Sequence, residues 1–272
     1  MIDEAVAKPD KVAAIPILMY HKIDSQNEVG INAVSPSLFK THIQWLRDNH
    51  YATVTFNDLA DNLELPKKPI ILTFDDAYQS VFTHAFPIMQ ELEMRGVVYA
   101  LSGFLGKENT WDVNLGGITF KHMTAEELCL LNAAGWEVGG HSVTHRGLTL
   151  LPANEVKREL LQDKQELEDV LGCELVSFAY PFGLHNNTVC QLVREVGYQY
   201  GCRSLRGGLH SLDKLRLPRI PIYQFDGPTS LQRKLEMRHT SFEYLKLLFL
   251  SAPAVLTPFY QKLFKRHLFL DM

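Results

Sequence analysis

The chain of 272 residues is poor in cysteine, and its four, Cys129, Cys173, Cys190 and Cys202, lie 44, 17 and 12 residues apart. There is neither a CxxC pair nor zinc-knuckle spacing, so nothing marks a structural metal site. Buried free thiols and a reducing compartment are expected, although four cysteines could also pair. Charge of one sign is lacking too: 27 Lys and Arg face 31 Asp and Glu, a formal net charge of −4. That excludes a basic field for nucleic acid. Long hydrophobic runs are absent. The uncharged stretch from Leu247 to Gln261 contains Pro253 and Pro258 and falls short of the roughly 20 apolar residues a membrane-spanning helix needs. The opening MIDEAVAKPDKVAAIPILMY has no positively charged segment followed by an unbroken apolar one. The expectation is a cytoplasmic protein or one peripheral at the membrane surface, the alternative being export with a leader absent from this chain. No internal repeat or low-complexity segment is apparent.

What is present is a globular composition, 46% hydrophobic and 10% aromatic. A chain of this size buries about three-quarters of the surface its unfolded form exposes, so a metal would serve chemistry rather than folding. The length suits one to two domains, and α/β barrels of about 250 residues form one. Charge is distributed unevenly. From Leu231 to Met272 seven Lys and Arg face three acids, giving +4 and leaving −8 on residues 1–230. The sequence therefore divides into an N-terminal extension (1–14), an acidic body (15–230) and a basic apolar helical tail (231–272).

Within the body, apolar runs alternate with amphipathic stretches. Strands are predicted at 15–20, 51–55, 69–74, 97–101, 136–138, 175–179, 198–202 and 219–222. Between them, Ser35-Pro36 opens a helix, Asn57 caps a short one, a helix covers about 79–94, and Thr124 with Glu127 makes a capping box. Pro152 opens a long helix ending at Leu171-Gly172, and Asn187 caps the next. Six or more βα units without a long polar break predict a parallel sheet, closed as a barrel or open and doubly wound. Periodicity does not choose between the two.

Ligands of parallel α/β folds gather at the carboxyl ends of strands, and two polar clusters sit there. In ILTFDDAYQS an apolar strand ends in Asp75 and Asp76; an adjacent acid pair alone also reads as solvated residues opening a helix. In WEVGGHSVTH a strand runs through two glycines into His141 and His145, a spacing that can grip one metal ion but also arises by chance. Together they are more specific. Two imidazoles and a carboxylate make a set of three ligands with positions left for water and substrate, and a second carboxylate beside them can act as base.

On these residues the sequence resembles the polysaccharide deacetylases with the NodB homology domain, carbohydrate esterase family 4. Thr73-Phe74-Asp75-Asp76 is similar to the first family motif, TFDDG, and His141-Ser142-Val143-Thr144-His145 to the second, HSxxH; SFAYPFG (177–183) is similar to the third. The likeness covers about residues 15–223 and narrows to a circularly permuted subgroup acting on poly-N-acetylglucosamine, in which ILMYH, TFDD, SFAYP and a late RI-type strand recur. The resemblance implies an α/β fold, a distorted (β/α)7-type barrel with a C-terminal helical extension. It implies a hydrolase removing N-acetyl groups from amino-sugar units of a polysaccharide. The implied cofactor is one divalent metal ion, zinc with Co, Ni or Fe as alternatives, held by Asp76, His141 and His145. Asp75 is the implied base and His21 the implied acid, with Tyr180, Pro181 and Phe182 at the oxyanion and substrate and Arg219 orienting the base. Aromatic residues Tyr20, Tyr78, Tyr180, Phe182 and Trp111 are sugar-stacking or core residues on this reading. Two departures stand out: Ala77 replaces the motif glycine, where a positive φ costs about 1 kcal/mol, and Ala179 replaces the motif-three arginine.

Alternatives stay open at this level. The substrate could be a lipid-linked or small amino sugar or an O-acetylated glycan, and a non-enzyme reading is a carbohydrate-binding protein on the same barrel. The implied partner is the carbohydrate, with no nucleic acid; the segment 241–270 suits peripheral contact with an anionic membrane or packing on the barrel. Oligomeric state is not legible.

Overall fold

The computed structural model describes residues 11–236 except 26–30, 113–116, 206, 207 and 209, and beyond 236 only positions 245 and 258. The helical tail expected over 231–272 therefore lies largely outside the described residues. Of the two positions described beyond 236, Leu245 is exposed and Pro258 is buried.

The chain passes through β1 (Ile17–Tyr20), β2 (Lys22–Ile23), β3 (Ala33–Val34), α1 (Pro36–Asp48), β4 (Ala52–Thr53), α2 (Phe56–Ala60), β5 (Pro69–Phe74) and α3 (Phe86–Glu91). It continues through β6 (Val97–Ala100), α4 (Ala125–Ala133), β7 (Glu137–Gly140), α5 (Ala153–Leu171), β8 (Ser177–Ala179), α6 (Asn187–Glu195), β9 (Tyr200–Arg203), β10 (Leu217–Pro218), β11 (Ile220–Pro221) and α7 (Pro228–Glu236). The main sheet runs β9-β8-β7-β6-β5-β1, every pairing parallel. Its two edges meet through residues 217–221. Leu217 of β10 pairs with Cys202 of β9, and Ile220 of β11 pairs with Leu18 of β1. These two short pieces are halves of one strand that changes partners at Arg219, so seven strand positions close into a barrel.

Side-chain alternation confirms the closure. Ile17, Ile71, Val97, Tyr99, Ala179, Tyr200 and Cys202 fill the interior above a floor of Val12, Ile15, Val54 and Phe56. Their strand neighbours Leu18, Leu72, Val98 and Phe178 pack outward against the helices, with Phe39 and Ile43 of α1 and Leu160 and Leu167 of α5. Period-2 alternation with both faces buried is what a covered parallel strand requires.

Several local readings hold. Ser35 caps α1 with Pro36 in its first turn, Thr124 and Glu127 form a capping box on α4, and Gly172 (φ +69°) ends α5 in the left-handed conformation. Others differ by a residue or more. α2 is capped by Thr55, whose hydroxyl and Asp58 make a capping box, rather than by Asn57. α6 is capped by Asn186, whose Oδ1 accepts from Val189 N at 2.8 Å. The helix expected over 79–94 is a π-turn, Val81–Ala85, leading into α3, because Pro87 cannot donate the i→i−4 bond a continuous helix needs. The body also extends past 230. In α7, Lys234 is buried and donates to Pro221 O at 2.7 Å and to Asp226 at 2.5 Å.

Where the barrel meets its helices there is no spare volume at β7. A Cβ on Gly140 would lie 2.1 Å from the Tyr198 hydroxyl and 2.9 Å from Asp163 Oδ2. Gly140→Ala is expected to cost about 1–3 kcal/mol by overpacking, read by urea unfolding; an unchanged midpoint would contradict this packing.

Candidate functional site

β5 is a buried run, PIILTF, that stops at Phe74. Had the strand continued, Asp75 and Asp76 would point to opposite faces. Instead the backbone turns left-handed, with φ +69° at Asp76 and +48° at Ala77, and both carboxylates reach one site at the carboxyl end of the barrel. Left-handed geometry costs a residue with a Cβ roughly 1–2 kcal/mol. The strain is concentrated here: Ser142 (+73°), His145 (+53°) and Phe182 (+59°) share it at the ends of β7 and β8. Such clustering marks a place where function fixes the backbone.

β7 delivers His141 and His145. Asp76 Oδ1 lies 3.5 Å from His141 Nε2 and 3.3 Å from His145 Nε2. All three side chains are buried, and their ligand atoms lie within 4.8 Å of one another. Two atoms each about 2.1 Å from a common ion at tetrahedral angles would be about 3.4 Å apart, which is the spacing of carboxylate to imidazole here. His141 Nδ1 lies 2.7 Å from Ala179 O, a bond in which the ring nitrogen must donate, leaving the Nε2 lone pair directed at the centre. Asp76 Oδ1 is buried without a hydrogen bond, and a buried anionic acceptor in that state calls for a cation. The three residues therefore fit a divalent metal.

The electrostatics of Asp76 and His145 agree. Burial pushes the Asp76 carboxyl up, but the two histidines outweigh it and hold the group well below the carboxylate range. Burial drives His145 down to about 3 against the pull of Asp76, so its ring is neutral, the form that binds metal. For His141 burial acts downward, and Asp76 and Asp75 together raise it above the ordinary value.

Asp75 has a different partner. Arg219, buried at the point where the closing strand changes partners, grips it in two bonds, Nη1 to Oδ1 at 2.5 Å and Nη2 to Oδ2 at 2.7 Å. Nη1 also reaches Thr73 Oγ1 at 3.2 Å, and the guanidinium lies 5.4 Å from the centre of the Tyr99 ring. Burial raises the Asp75 carboxyl, yet Arg219 followed by His141 holds it below its ordinary value. Asp75 is thus an ionised carboxylate beside a metal-shaped triad. His21, half-buried just after β1, is near enough to act electrostatically on both Asp75 and Asp76.

The segment after β8 contributes apolar walls. Phe182 meets the His145 ring edge-on at 4.5 Å between centroids, and Trp111 lies 3.9 Å from the same ring. Pro181 is buried beside them. Tyr180 turns away: its hydroxyl donates to Leu215 O at 2.8 Å in the core, and its N–H donates to Cys202 O at 3.0 Å. Tyr20 and Tyr78 are likewise buried rings rather than stacking faces.

Two supporting acids escape sequence reasoning. Asp163 of α5 accepts from Ser102 N, His141 N and Ser142 N, each at 3.0 Å. Burial pushes it up to about 7, with the Ser102 bonds opposing. Glu159 accepts from Thr144 N at 3.0 Å and Thr144 Oγ1 at 2.7 Å. The available signal was their place on the apolar stripe of α5, between Val156, Leu160 and Leu167.

Comparison with known proteins bears on this arrangement. The polysaccharide deacetylase family matches residues 62–201. YxkH of Bacillus subtilis (strain 168), named as a polysaccharide deacetylase, is 26% identical over 220 residues, 77% of this chain and 74% of its own. The poly-β-1,6-N-acetyl-D-glucosamine N-deacetylase of Staphylococcus aureus (strain MRSA252) is 23% identical over 189 residues, 65% of this chain and 63% of its own. Among solved structures, a Streptococcus pyogenes deacetylase in complex with acetate superposes with a TM-score of 0.70 at 24% identity, covering 81% of this chain and 97% of that one. IcaB from Ammonifex degensii gives 0.69 at 24% identity, covering 82% and 97%. These two structural likenesses bear on the barrel fold alone.

The Asp75–Arg219 pair has a pH signature. A carboxylate held below its unfolded value adds stability that is fully present above the unfolded pKa of about 3.9 and is lost as pH falls from there through the lowered folded value. Arg219→Met strands a buried charge and is expected to cost about 3–5 kcal/mol near pH 7. In urea unfolding the gap to wild type should shrink as pH falls and the stranded, buried Asp75 carboxyl becomes protonated in the variant; a gap that is constant with pH would contradict the pairing.

Proposed function

Because the chain belongs to the polysaccharide deacetylase family, matched over residues 62–201, we propose that it removes N-acetyl groups from a poly-N-acetylglucosamine-like polysaccharide by metal-assisted hydrolysis. The observation that carries the reading is the juxtaposition of the Asp76, His141 and His145 triad with the ionised Asp75. The polymer is suggested by the named activity of the staphylococcal relative.

The residues take these roles. Asp76, His141 and His145 hold the ion, for which the mixed nitrogen and oxygen donor set favours zinc. Bound there, a divalent ion supplies Lewis-acid polarisation of the acetyl carbonyl and lowers the pKa of water. Asp75 accepts the proton of the attacking water, and Arg219 keeps that carboxylate ionised and aimed. His21 protonates the departing amine, without which an amide does not leave readily at neutral pH. Phe182 and Trp111 wall the site and exclude water, and the backbone N–H of Phe182 faces the developing oxyanion, since Pro181 has none and that of Tyr180 is given to Cys202 O. One role open to the segment 241–270 is peripheral contact with an anionic membrane surface, which would suit a nascent or lipid-linked polymer. Pro258, buried with its ring 2.9 Å from where a Gly147 Cβ would stand, supports packing on the barrel as the competing role.

Asp75→Asn is expected to lower acetate release from chito-oligosaccharides by about 10²–10⁴-fold while metal content stays at the wild-type level. Asp76→Asn and His141→Ala lose both. Full activity of Asp75→Asn would refute the base. His21→Ala should impair amide hydrolysis more than cleavage of an activated ester; equal losses would refute the acid. Lipid-linked amino sugar and acetylated xylan belong in the same acceptor panel, and stronger release from either would displace the polymer. Liposome co-sedimentation of the full chain against a form ending at Thr240 tests the membrane contact, and equal behaviour of the two would dismiss it.

A further inference from the structure

The turn that carries Asp76 is held by a second segment of the chain. Residues 121–123 run alongside it: Gln79 N donates to Lys121 O at 2.8 Å, and Met123 N donates to Ala77 O at 2.7 Å. Between them His122 places Nδ1 2.5 Å from Asp76 O. On its far side, Trp111 Nε1 lies 3.3 Å from His122 Nε2. An indole nitrogen can only donate, so Nε2 accepts and the ring proton resides on Nδ1, where it is given to the Asp76 carbonyl. Both nitrogens are thereby committed. The ring is buried, stacked on Tyr78 (centroids 5.1 Å, planes 14° apart) and against Phe104 (5.7 Å).

This arrangement answers a specific difficulty. Glycine would adopt the left-handed turn without strain, but position 76 must carry a carboxylate, and position 77 carries a methyl group. The conformation therefore has to be imposed from outside. The peptide leaving Asp76 is where a single bond fixes both left-handed residues, since its carbonyl belongs to one and its N–H to the other.

We infer that His122 is a positioning residue of the metal centre: its Nδ1–H fixes the Asp76 carbonyl, and with it the left-handed peptide that turns the Asp76 carboxylate towards His141 and His145. Trp111 fixes the tautomer that makes this possible, and the same indole covers His145. The inference rests on the reading of Asp76, His141 and His145 as metal ligands.

The test is the zinc affinity of full-length variants, measured by competition with a chromophoric chelator. His122→Phe keeps a ring among Tyr78, Phe104 and Trp111 but offers Asp76 no donor, and is expected to bind zinc 10- to 100-fold more weakly, a loss of about that size being usual for outer partners of metal ligands. His122→Asn places an amide nitrogen where Nδ1 was, and is expected to regain most of that affinity although it too removes the partner of Trp111. A purely structural role for the ring predicts the reverse order, because asparagine fills the space worse. Wild-type affinity in His122→Phe, or equal loss in both variants, overturns the inference. Should the phenylalanine variant not fold, His122→Gln, whose amide reaches the Nε2 position instead, is compared with His122→Asn under the same criterion. Asp76→Asn is the control: loss of zinc there with none in His122→Phe refutes the positioning role alone, whereas a wild-type chain that binds no zinc refutes the ligand assignment as well.

Discussion

Two consecutive carboxylates have to serve one site, and a β-strand forbids it. The chain resolves the conflict by breaking β5 at Phe74 into a left-handed turn at Asp76 and Ala77. The rest of the site depends on that break. It sends Asp75 inward to Arg219 and Asp76 across to the two histidines of the β7 loop, so two carboxylates stand side by side, each in its own ion pairs. Two unpaired carboxylates that close in a dry site would otherwise force one to protonate.

Holding such a turn requires that strain and charge burial be offset locally. Arg219 supplies the cation for Asp75 from the strand that closes the barrel, so barrel closure and the pairing of Asp75 are one structural event. Asp163 gathers the backbone N–H groups of Ser102, His141 and Ser142, tying the β6 and β7 loops together beneath the first histidine. The segment 121–123 does the corresponding work for Asp76. Asp76, Ala77 and Ser142 are held by His122, Met123 and Asp163, groups drawn from other parts of the chain, as a preorganised site requires.

Much of this was legible in the sequence. The apolar runs and their helices announced the parallel sheet, and Asp75, Asp76, His141 and His145 stood out because each pair follows directly on a strand. The need for a break between the two aspartates was also readable, from strand alternation alone. Closure was not: the sequence predicts a strand over 219–222, and nothing local says that 217–218 pair with β9 and 220–221 with β1. Arg219 entered through resemblance, since a guanidinium acting 144 residues away from its carboxylate leaves no local pattern. Asp163 hid among the many acids of α5, and His122 among loop residues whose partners Trp111 and Asp76 lie 11 and 46 residues off. Long-range polar pairings carry no period, whereas strands and helices do.

The central claim is that one divalent ion at Asp76, His141 and His145 enables deacetylation by this barrel. Stepwise zinc addition to chelator-treated full-length protein, with bound metal and acetate release from an N-acetylglucosamine oligomer followed together, tests it most directly. The account predicts saturation at one ion per chain with activity rising in proportion to occupancy. Undiminished acetate release by metal-free protein, or bound zinc without any release, would contradict it.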